Sequence, residues 1–193
     1  MKLEELKQLV EEEKKKPHNK EVRVTRAVTC PTLQIKEYYG INMGKLRHQI
    51  IEEKLKSKGL ETEVEIALTI DNVLITGHVD ALDLNNLTVY EIKPSRIYDN
   101  YIRQLSMYVT ILRKLTGLNF TGKFIIYVGE EVYELVPPFL DTTILETVLE
   151  VLQEETTIKG EYCTLCIHDK KCDKKREWKR KMGFEIAEIT KLY

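Results

Sequence analysis

The sequence predicts an α/β fold: a mixed central sheet flanked by helices. Three observations carry this. Apolar residues recur at helical spacing near the start of the chain and again around residues 42–58 and 100–115. Three segments rich in β-branched residues follow one another between about 62 and 93, separated by Asp71-Asn72 and Asn85-Asn86. A helical stretch and two more strand-like segments come next. Helices, a three-stranded meander, a helix, two strands and then helices ask for a sheet covered on its faces. A chain of 193 residues favours one domain, and with 42% hydrophobic residues it can bury a sizeable core.

The elements follow in order. Leu3, Leu6, Leu9 and Val10 predict a helix over residues 2–15, ended by Pro17 and Asn19. Thr29 is placed to cap a short helix with Pro31 in its first turn, running through Tyr38 and Tyr39 to Gly40. A stronger helix runs from Asn42 to about Lys58, closed by Gly59, with Leu46, Ile50, Ile51 and Leu55 as its apolar stripe. Strands are predicted at roughly 62–70, 73–83 and 87–93. Residues Asn100 to Leu115 form an amphipathic helix that Gly117 ends. "KFIIYVG" and "EVYELVP" form a hairpin turning near Gly129-Glu130, and Asp141 caps a helix to about Glu155. A cysteine-bearing loop, a basic helix and a short tail complete the chain.

Charge is uneven. The net charge is only −1, yet Lys170–Lys181 holds eight basic and two acidic residues, a net of +6. A local basic stripe on an acidic remainder suits attraction to phosphates at one place, although a solvated helix face reads the same way. No apolar run approaches the roughly 18 residues of a membrane span. The N-terminal "MKLEELKQLVEEEKKK" is too charged for a secretory signal. The expectation is a cytoplasmic protein without membrane contact, in a compartment that favours metal-holding cysteines over disulfides.

The strand "VLITGHVDALDL" is apolar on both faces but carries Asp80. A carboxylate there is costly unless paired or bound to a cation. In "VYEIKP", Glu91 and Lys93 share one face of the strand and Ile92 points to the other. If the two strands are neighbours, Asp80 and Glu91 can converge on one hard cation, Mg²⁺ or Mn²⁺, with the Ile92 carbonyl as a further ligand. Lys93, one pleat along, is placed to orient water or neutralise phosphoryl oxygens. The plain alternative is a cross-strand salt bridge. His48 points inward with Ile51 and Leu55 and offers a nitrogen ligand; His78, on the same strand face as Asp80, is its rival. Gln104 and Tyr108 stand one turn apart on the next helix, presenting an amide and a phenol to one side.

Cys163, Cys166 and Cys172 form C-x2-C-x5-C, and Cys30 is the remaining cysteine. Three clustered thiols and one distant one make a four-thiolate set, for which zinc and an iron–sulfur cluster both qualify. Either would tie the region of Cys30 to the C-terminal segment and its basic stripe.

Taken together, Cys30-Pro31, His48, "GHVD" ending in Asp80, "EIK" with Glu91 and Lys93, the Gln-x3-Tyr of "QLSMY" and the three late cysteines resemble the Cas-four family. These are CRISPR-associated RecB-like nucleases of the PD-(D/E)xK superfamily, and the likeness runs from about Thr25 to Arg180. The resemblance implies a restriction-endonuclease-like core over residues 1–193. It also implies a helical appendage, residues 25–40 with 158–183, clamped by a [4Fe–4S] cluster on Cys30, Cys163, Cys166 and Cys172. It further implies metal-dependent cleavage of DNA, mostly single-stranded, as an exonuclease and sometimes an endonuclease. His48, Asp80, Glu91 and the Ile92 carbonyl would bind Mn²⁺ or Mg²⁺, Lys93 would be the catalytic lysine, and Gln104 and Tyr108 would support the site. Lys174, Lys175, Arg176, Lys179 and Arg180 are the expected DNA contacts on the basic stripe. Expected partners are DNA and the subunits of a CRISPR integrase, and exposed helix faces offer surfaces for a homo-oligomer. Val79 stands where the superfamily motif has proline, and Asp173 where proline often follows the last cluster cysteine. Viral and repair-type RecB-like nucleases share the chemistry, and a non-catalytic, metal-stabilised DNA-binding adaptor is the reading from another class.

Overall fold

The computed structural model describes residues 1–30, 41–94, 97–137, 140–141, 143–153, 157–159, 163, 166–168, 172, 175–177 and 188–192. Helix α1 (Leu3–Lys15) carries Glu4 and Glu5 in its first turn and Lys14 and Lys15 in its last, complementing the helix dipole. It buries Leu6 and Val10. Its buried Glu13 accepts a hydrogen bond from the Thr69 amide at 2.8 Å, which fixes the helix to the sheet. A short strand β1 (Lys20–Arg23) and a single helical turn α2 (Val24–Ala27) follow. Neither is expected from the sequence, because four residues carry no readable period. The Thr29 hydroxyl donates back to the Thr25 carbonyl at 2.8 Å and so closes the turn before it. The helix expected over residues 31–40 lies outside the described residues.

Helix α3 (Ile41–Ser57) matches expectation in extent but not in its buried face. Ile51 and Leu55 are buried, while Leu46 and Ile50 are 54% and 45% exposed. The inward stripe is therefore His48, Ile51 and Leu55, at i, i+3 and i+7. Strands β2 (Glu61–Ile70) and β3 (Val73–Asp83) form a hairpin. Asp71 and Asn72 both have positive φ, 49° and 61°, as the tightest hairpin turns require. Strand β4 (Thr88–Pro94) pairs antiparallel with β3 over Ala81–Asp83 only. The Asp83 carboxylate makes the connecting turn by accepting from the amides of Asn85 and Asn86, both at 2.9 Å.

Helix α4 (Asp99–Thr116) ends on Gly117 in the left-handed conformation, φ 71°. The sequence suggests an amphipathic helix, but Ile102–Leu112 is buried throughout, held between the sheet and helices α1, α2 and α5 (Ile144–Gln153). Strands β5 (Thr121–Val128) and β6 (Glu131–Val136) form the second hairpin. Two corrections concern the C-terminal part. Lys175–Glu177, inside the expected basic helix, is a strand, β8, running parallel to β7 (Thr157–Lys159). The expected tail contains a strand, β9 (Glu188–Lys191), paired antiparallel with β6. Among the described residues no helix is long and apolar enough to cross a membrane.

The result is a seven-stranded mixed sheet in the order β1-β3-β4-β5-β6-β9, with β2 on the other edge of β3, flanked by helices. The larger core packs the sheet against α1, α2, α4 and α5; the smaller holds Ile51 and Leu55 of α3 against Ala81, Ile92, Ile125 and Val132. The strand pairing leaves one gap in this sheet. A strand has two edges, and β2 occupies one edge of β3 along nearly its whole length. Strands β1 and β4 must then share the other edge, β1 pairing through Thr76 and β4 only from Ala81 onward. Between them the sheet is open along Gly77–Asp80.

Candidate active site

At the opening, β3 changes face. Val79 belongs to the larger core and Ala81 to the smaller, although residues two apart on a regular strand share a face. Asp80 sits at the turnover. Across the hairpin, Thr62 pairs with Ala81 and Val64 with Val79, so the residue opposite Asp80 is Glu63, which has a left-handed φ of 52°. On the other side, continuing the register from Ala81–Tyr90 sets Asp80 opposite Glu91. There the ladder is replaced by a side chain: the Ile92 amide donates to Asp80 Oδ2 at 2.6 Å. This bond holds β4 beside β3 just where their backbones part.

Toward α4, Glu91 is 1% exposed. Its Oε1 accepts from the Lys93 ammonium and, at 2.6 Å, from Gln104 Nε2. The same Nε2 donates to the Tyr108 hydroxyl at 3.1 Å. Lys93 also lies 4.7 Å from the centroid of the Tyr101 ring, within cation–π range. Glu91 Oε2 is buried and has no hydrogen-bond partner among the described residues. Burial, and then the charge of Asp80, push the Glu91 carboxyl up to about 8 against the pull of Lys93. Burial and the nearby Glu91 charge drive the Tyr108 hydroxyl upward, so it stays protonated. Gly77 is required here: a Cβ on it would meet Tyr108 Cε1 at 2.7 Å.

Toward α3, His48 Nε2 lies 3.2 Å from Asp80 Oδ1 and 3.0 Å from Glu52 Oε1. One Nε2 proton serves one carboxylate at a time, and Glu52 Oε1 is buried without a hydrogen bond. Donor atoms of His48, Glu52, Glu63 and Asp80 all fall within 4.8 Å of one another. Burial first, and then Glu63, raise the Glu52 carboxyl to about 7. Burial opposes the charged form of His48, but the hydrogen bond and charge of Asp80, with Glu52, outweigh it and raise its pKa. One nitrogen and several carboxylate oxygens at this spacing can hold a divalent cation, and the donor set suits Mn²⁺ or Mg²⁺.

Of the site residues expected from the sequence, His48, Asp80, Glu91, Lys93, Gln104 and Tyr108 are thus brought together. His48 and Asp80 belong to the cation-sized grouping. Glu91 lies beside it, on the Lys93 side, and Ile92 enters through its amide. His78 is exposed and stands outside the grouping. Glu52 and Glu63 are missing from the sequence reading. Two signals could have found them: Glu52 is one helical turn beyond His48, and the turn at Asp71-Asn72 fixes Glu63 opposite Asp80. The four cysteines are half-buried and form no disulfide. The Cys166 amide donates to the Cys163 carbonyl at 3.1 Å, which makes C-x2-C one tight turn. Lys175 and Arg176 lie on β8, and Lys174, Lys179 and Arg180 lie outside the described residues.

Neither a family model nor a curated protein matches the chain. Among solved structures, that of the protein SSO0001 is similar with a TM-score of 0.58 at 21% identity, covering 89% of this chain and 95% of its own. A protein from Eubacterium rectale described as a candidate exonuclease is similar at a TM-score of 0.40 and 15% identity, covering 73% of this chain and 61% of its own. The likeness to SSO0001, which runs over nearly the whole of both chains, establishes a shared fold.

Proposed function

We propose that the protein is a divalent-metal-dependent nuclease that hydrolyses phosphodiester bonds in single-stranded DNA, chiefly from an end. The observation that carries this reading is the meeting of Asp80, Glu91 and Lys93 where β3 and β4 part, with His48 on one side and Gln104 on the other. His48 and Asp80 would hold the ion, joined by Glu52 and Glu63 from the same grouping; Glu91, whose Oε2 is unpartnered, and the Ile92 carbonyl are the further ligands the resemblance implies. Bound Mn²⁺ or Mg²⁺ supplies Lewis-acid charge at the scissile phosphate and lowers the pKa of water. The Lys93 ammonium balances charge on the phosphoryl oxygens and orients the attacking water. Glu91 and the face of Tyr101 fix that ammonium, and Gln104 fixes Glu91 in turn.

The fold reading that accompanies this is a restriction-endonuclease-like core over residues 1–193. Cys30, Cys163, Cys166 and Cys172 would hold an iron–sulfur cluster, with 25–40 and 158–183 built around it. The C-x2-C-x5-C spacing with Cys30 and the resemblance motivate that assignment; among the described residues the metal-sized grouping is His48, Glu52, Glu63 and Asp80 and contains none of the four thiols. The cellular role in this reading is trimming of DNA for CRISPR spacer acquisition beside the integrase. The direct test is degradation of end-labelled single-stranded DNA with Mn²⁺ and with chelator. Cleavage should require metal and vanish in Lys93→Ala and Asp80→Ala; full activity in either variant rules out this site. Metal-independent binding without cleavage would favour the adaptor reading. Brown protein with visible absorption after anaerobic purification supports the cluster, and colourless zinc-replete protein removes it.

A further inference from the structure

The opening in the sheet is more than a place for Asp80 to sit. A cavity of about 720 Å³ begins at Asp80, Glu91 and Lys93 and extends between β1 and β4 to Lys14, His18 and Arg23. It is lined from both faces of the sheet: Thr76, the last rung with β1, and His78 alternate with Gly77 along β3, and Tyr108 closes the α4 side. Its volume falls in the range of a site for one small or extended ligand, roughly 300–1,000 Å³. On the edge of β3 away from β2, the backbone along Gly77–Val79 offers hydrogen-bonding groups that neither β1 nor β4 meets. Two exposed imidazoles, His18 and His78, give surfaces on which bases stack.

Charge singles out one residue. Of the lysines and arginines lining the cavity, Lys14 is bound to Glu65 at 2.6 Å, and Lys93 is bound to Glu91. Arg23 makes no ion pair with another described residue. It is the last residue of β1 and pairs with Thr76, the rung next to the opening. Asp80 lies four steps along the strand from Thr76, about 13 Å at 3.3 Å per residue. That places Arg23 at a distance suited to a phosphate other than the one being cut. A guanidinium free of a carboxylate partner is the group best shaped for phosphate. Glu21, two residues earlier on β1, also lines the cavity and opposes it.

We propose that this cavity is the track of a single nucleic-acid strand through the sheet, and that Arg23 binds a backbone phosphate of that strand away from the scissile one. The proposal rests on the nuclease reading for the position of the scissile bond, but it makes a separate demand on binding. The contact is a phosphate contact, so it contributes to every sequence and is weakened by salt.

The experiment measures binding of a fluorescent oligothymidylate to the full chain in chelator, over a series of salt concentrations, with thermal unfolding of each variant as a check on folding. Arg23→Ala should weaken binding by roughly tenfold, as loss of a charge-assisted hydrogen bond does. It should also shrink the slope of log affinity against log salt by about 0.7, the share of one phosphate on a single strand. Arg23→Lys should recover part of both. Glu21→Gln should tighten binding. Lys7→Ala, an equal charge change on the exposed face of α1 outside the cavity, should leave both quantities alone. Wild-type affinity and slope in Arg23→Ala overturn the proposal, as does an equal loss in Lys7→Ala. A wild-type protein that binds in this pattern yet never cleaves with Mn²⁺ would instead overturn the nuclease reading and leave the track standing.

Discussion

The two sides of Asp80 are built in opposite ways. Toward α4 the chain supplies its own cation: Glu91 is buried, but Lys93 and Gln104 both donate to its Oε1. Toward α3 it supplies mostly anions: Glu52, Glu63 and Asp80 surround a single imidazole, and one Glu52 oxygen has no hydrogen bond. A carboxylate out of water must be neutralised by a partner or a proton. Among the described residues neither side is complete: Glu91 Oε2 on the first and Glu52 Oε1 on the second are buried without a hydrogen bond, and both carboxyls are raised. They differ in what stands beside the carboxylates, an ammonium and an amide on the first side and one imidazole among three acids on the second. The comparison teaches that a metal preference can be written as a shortage of cationic partners around one group of acids, beside an acid that already has an ammonium of the chain's own.

The largest effect expected is at Lys93. Lys93→Met keeps the bulk of the side chain but leaves Glu91 buried beside the Asp80 charge. Removing one partner of a buried pair costs about 3–5 kcal/mol, an upper figure here because Glu91 can take up a proton instead. Urea unfolding in chelator should show the loss, and cleavage of single-stranded DNA should fall by at least about 100-fold. Adding Glu91→Gln should restore stability without restoring cleavage. Recovery of both would mean that Lys93 acts only as a structural counter-ion.

Next in size is the response to metal. Ligand binding to the folded state adds about 2.7 kcal/mol at a hundred times the dissociation constant. Titration with Mn²⁺ should raise the unfolding midpoint of the wild-type protein, fail to do so in Asp80→Ala, and do so only at higher concentration in Glu52→Gln. An unchanged response in Glu52→Gln, with loss in Glu91→Gln, would move the ion to the α4 side and reverse the contrast drawn above.

Acidity sharpens the same contrast by a smaller amount. Glu91 and Glu52 are raised above the ordinary carboxylate value, to about 8 and about 7. A raised folded-state pKa means that the folded protein binds more protons than the unfolded chain between the two values. The stabilisation is therefore fully present below the unfolded pKa and is lost as pH rises through 7 and 8. Metal-free protein should lose stability over that window, measured by urea unfolding at successive pH values. Glu91→Gln should flatten the upper part of the loss, and saturating Mn²⁺ should suppress the part that belongs to Glu52.

How far the sequence shows this site depends on whether a residue breaks a local pattern. Asp80 interrupts an apolar strand, Glu91 and Lys93 alternate on another, and His48 stands in an apolar helical stripe, so all four stand out against periodicity. Glu52 and Glu63 do not. Each is an acid in a charged stretch, and only the register of the β2–β3 hairpin and the approach of α3 to its end bring them to Asp80. Strand β1 is equally silent: "KEVR" is too short to show a period, and its pairing with β3 joins residues about fifty positions apart. Residues 175–177 show the converse. A run of lysines and arginines reads as a helix by propensity, yet pairing with 157–159 overrides it. The long hairpins, the Asp71-Asn72 turn and the Gly117 stop are legible because their signals are local.

The smallest effect tests whether the Gln104–Tyr108 end of the α4 side acts apart from the ion-holding acids. Tyr108→Phe removes the hydroxyl that accepts from Gln104 Nε2 at 3.1 Å and leaves the stronger bond from Nε2 to Glu91, at 2.6 Å, in place. One amide proton loses its acceptor in a buried setting, which costs about 1 kcal/mol. The ring stays against Gly77, so no cavity opens. Stability should fall by that amount, Mn²⁺ affinity should not move, and cleavage should fall only as far as Gln104 loosens its hold on Glu91. A large loss of metal affinity in Tyr108→Phe would show that the two sides of Asp80 are one network, with Gln104 and Tyr108 setting the position of Asp80 through Glu91. Unchanged metal affinity would leave Asp80 as the joint between a side that carries its own ammonium and a side that gathers acids around one imidazole.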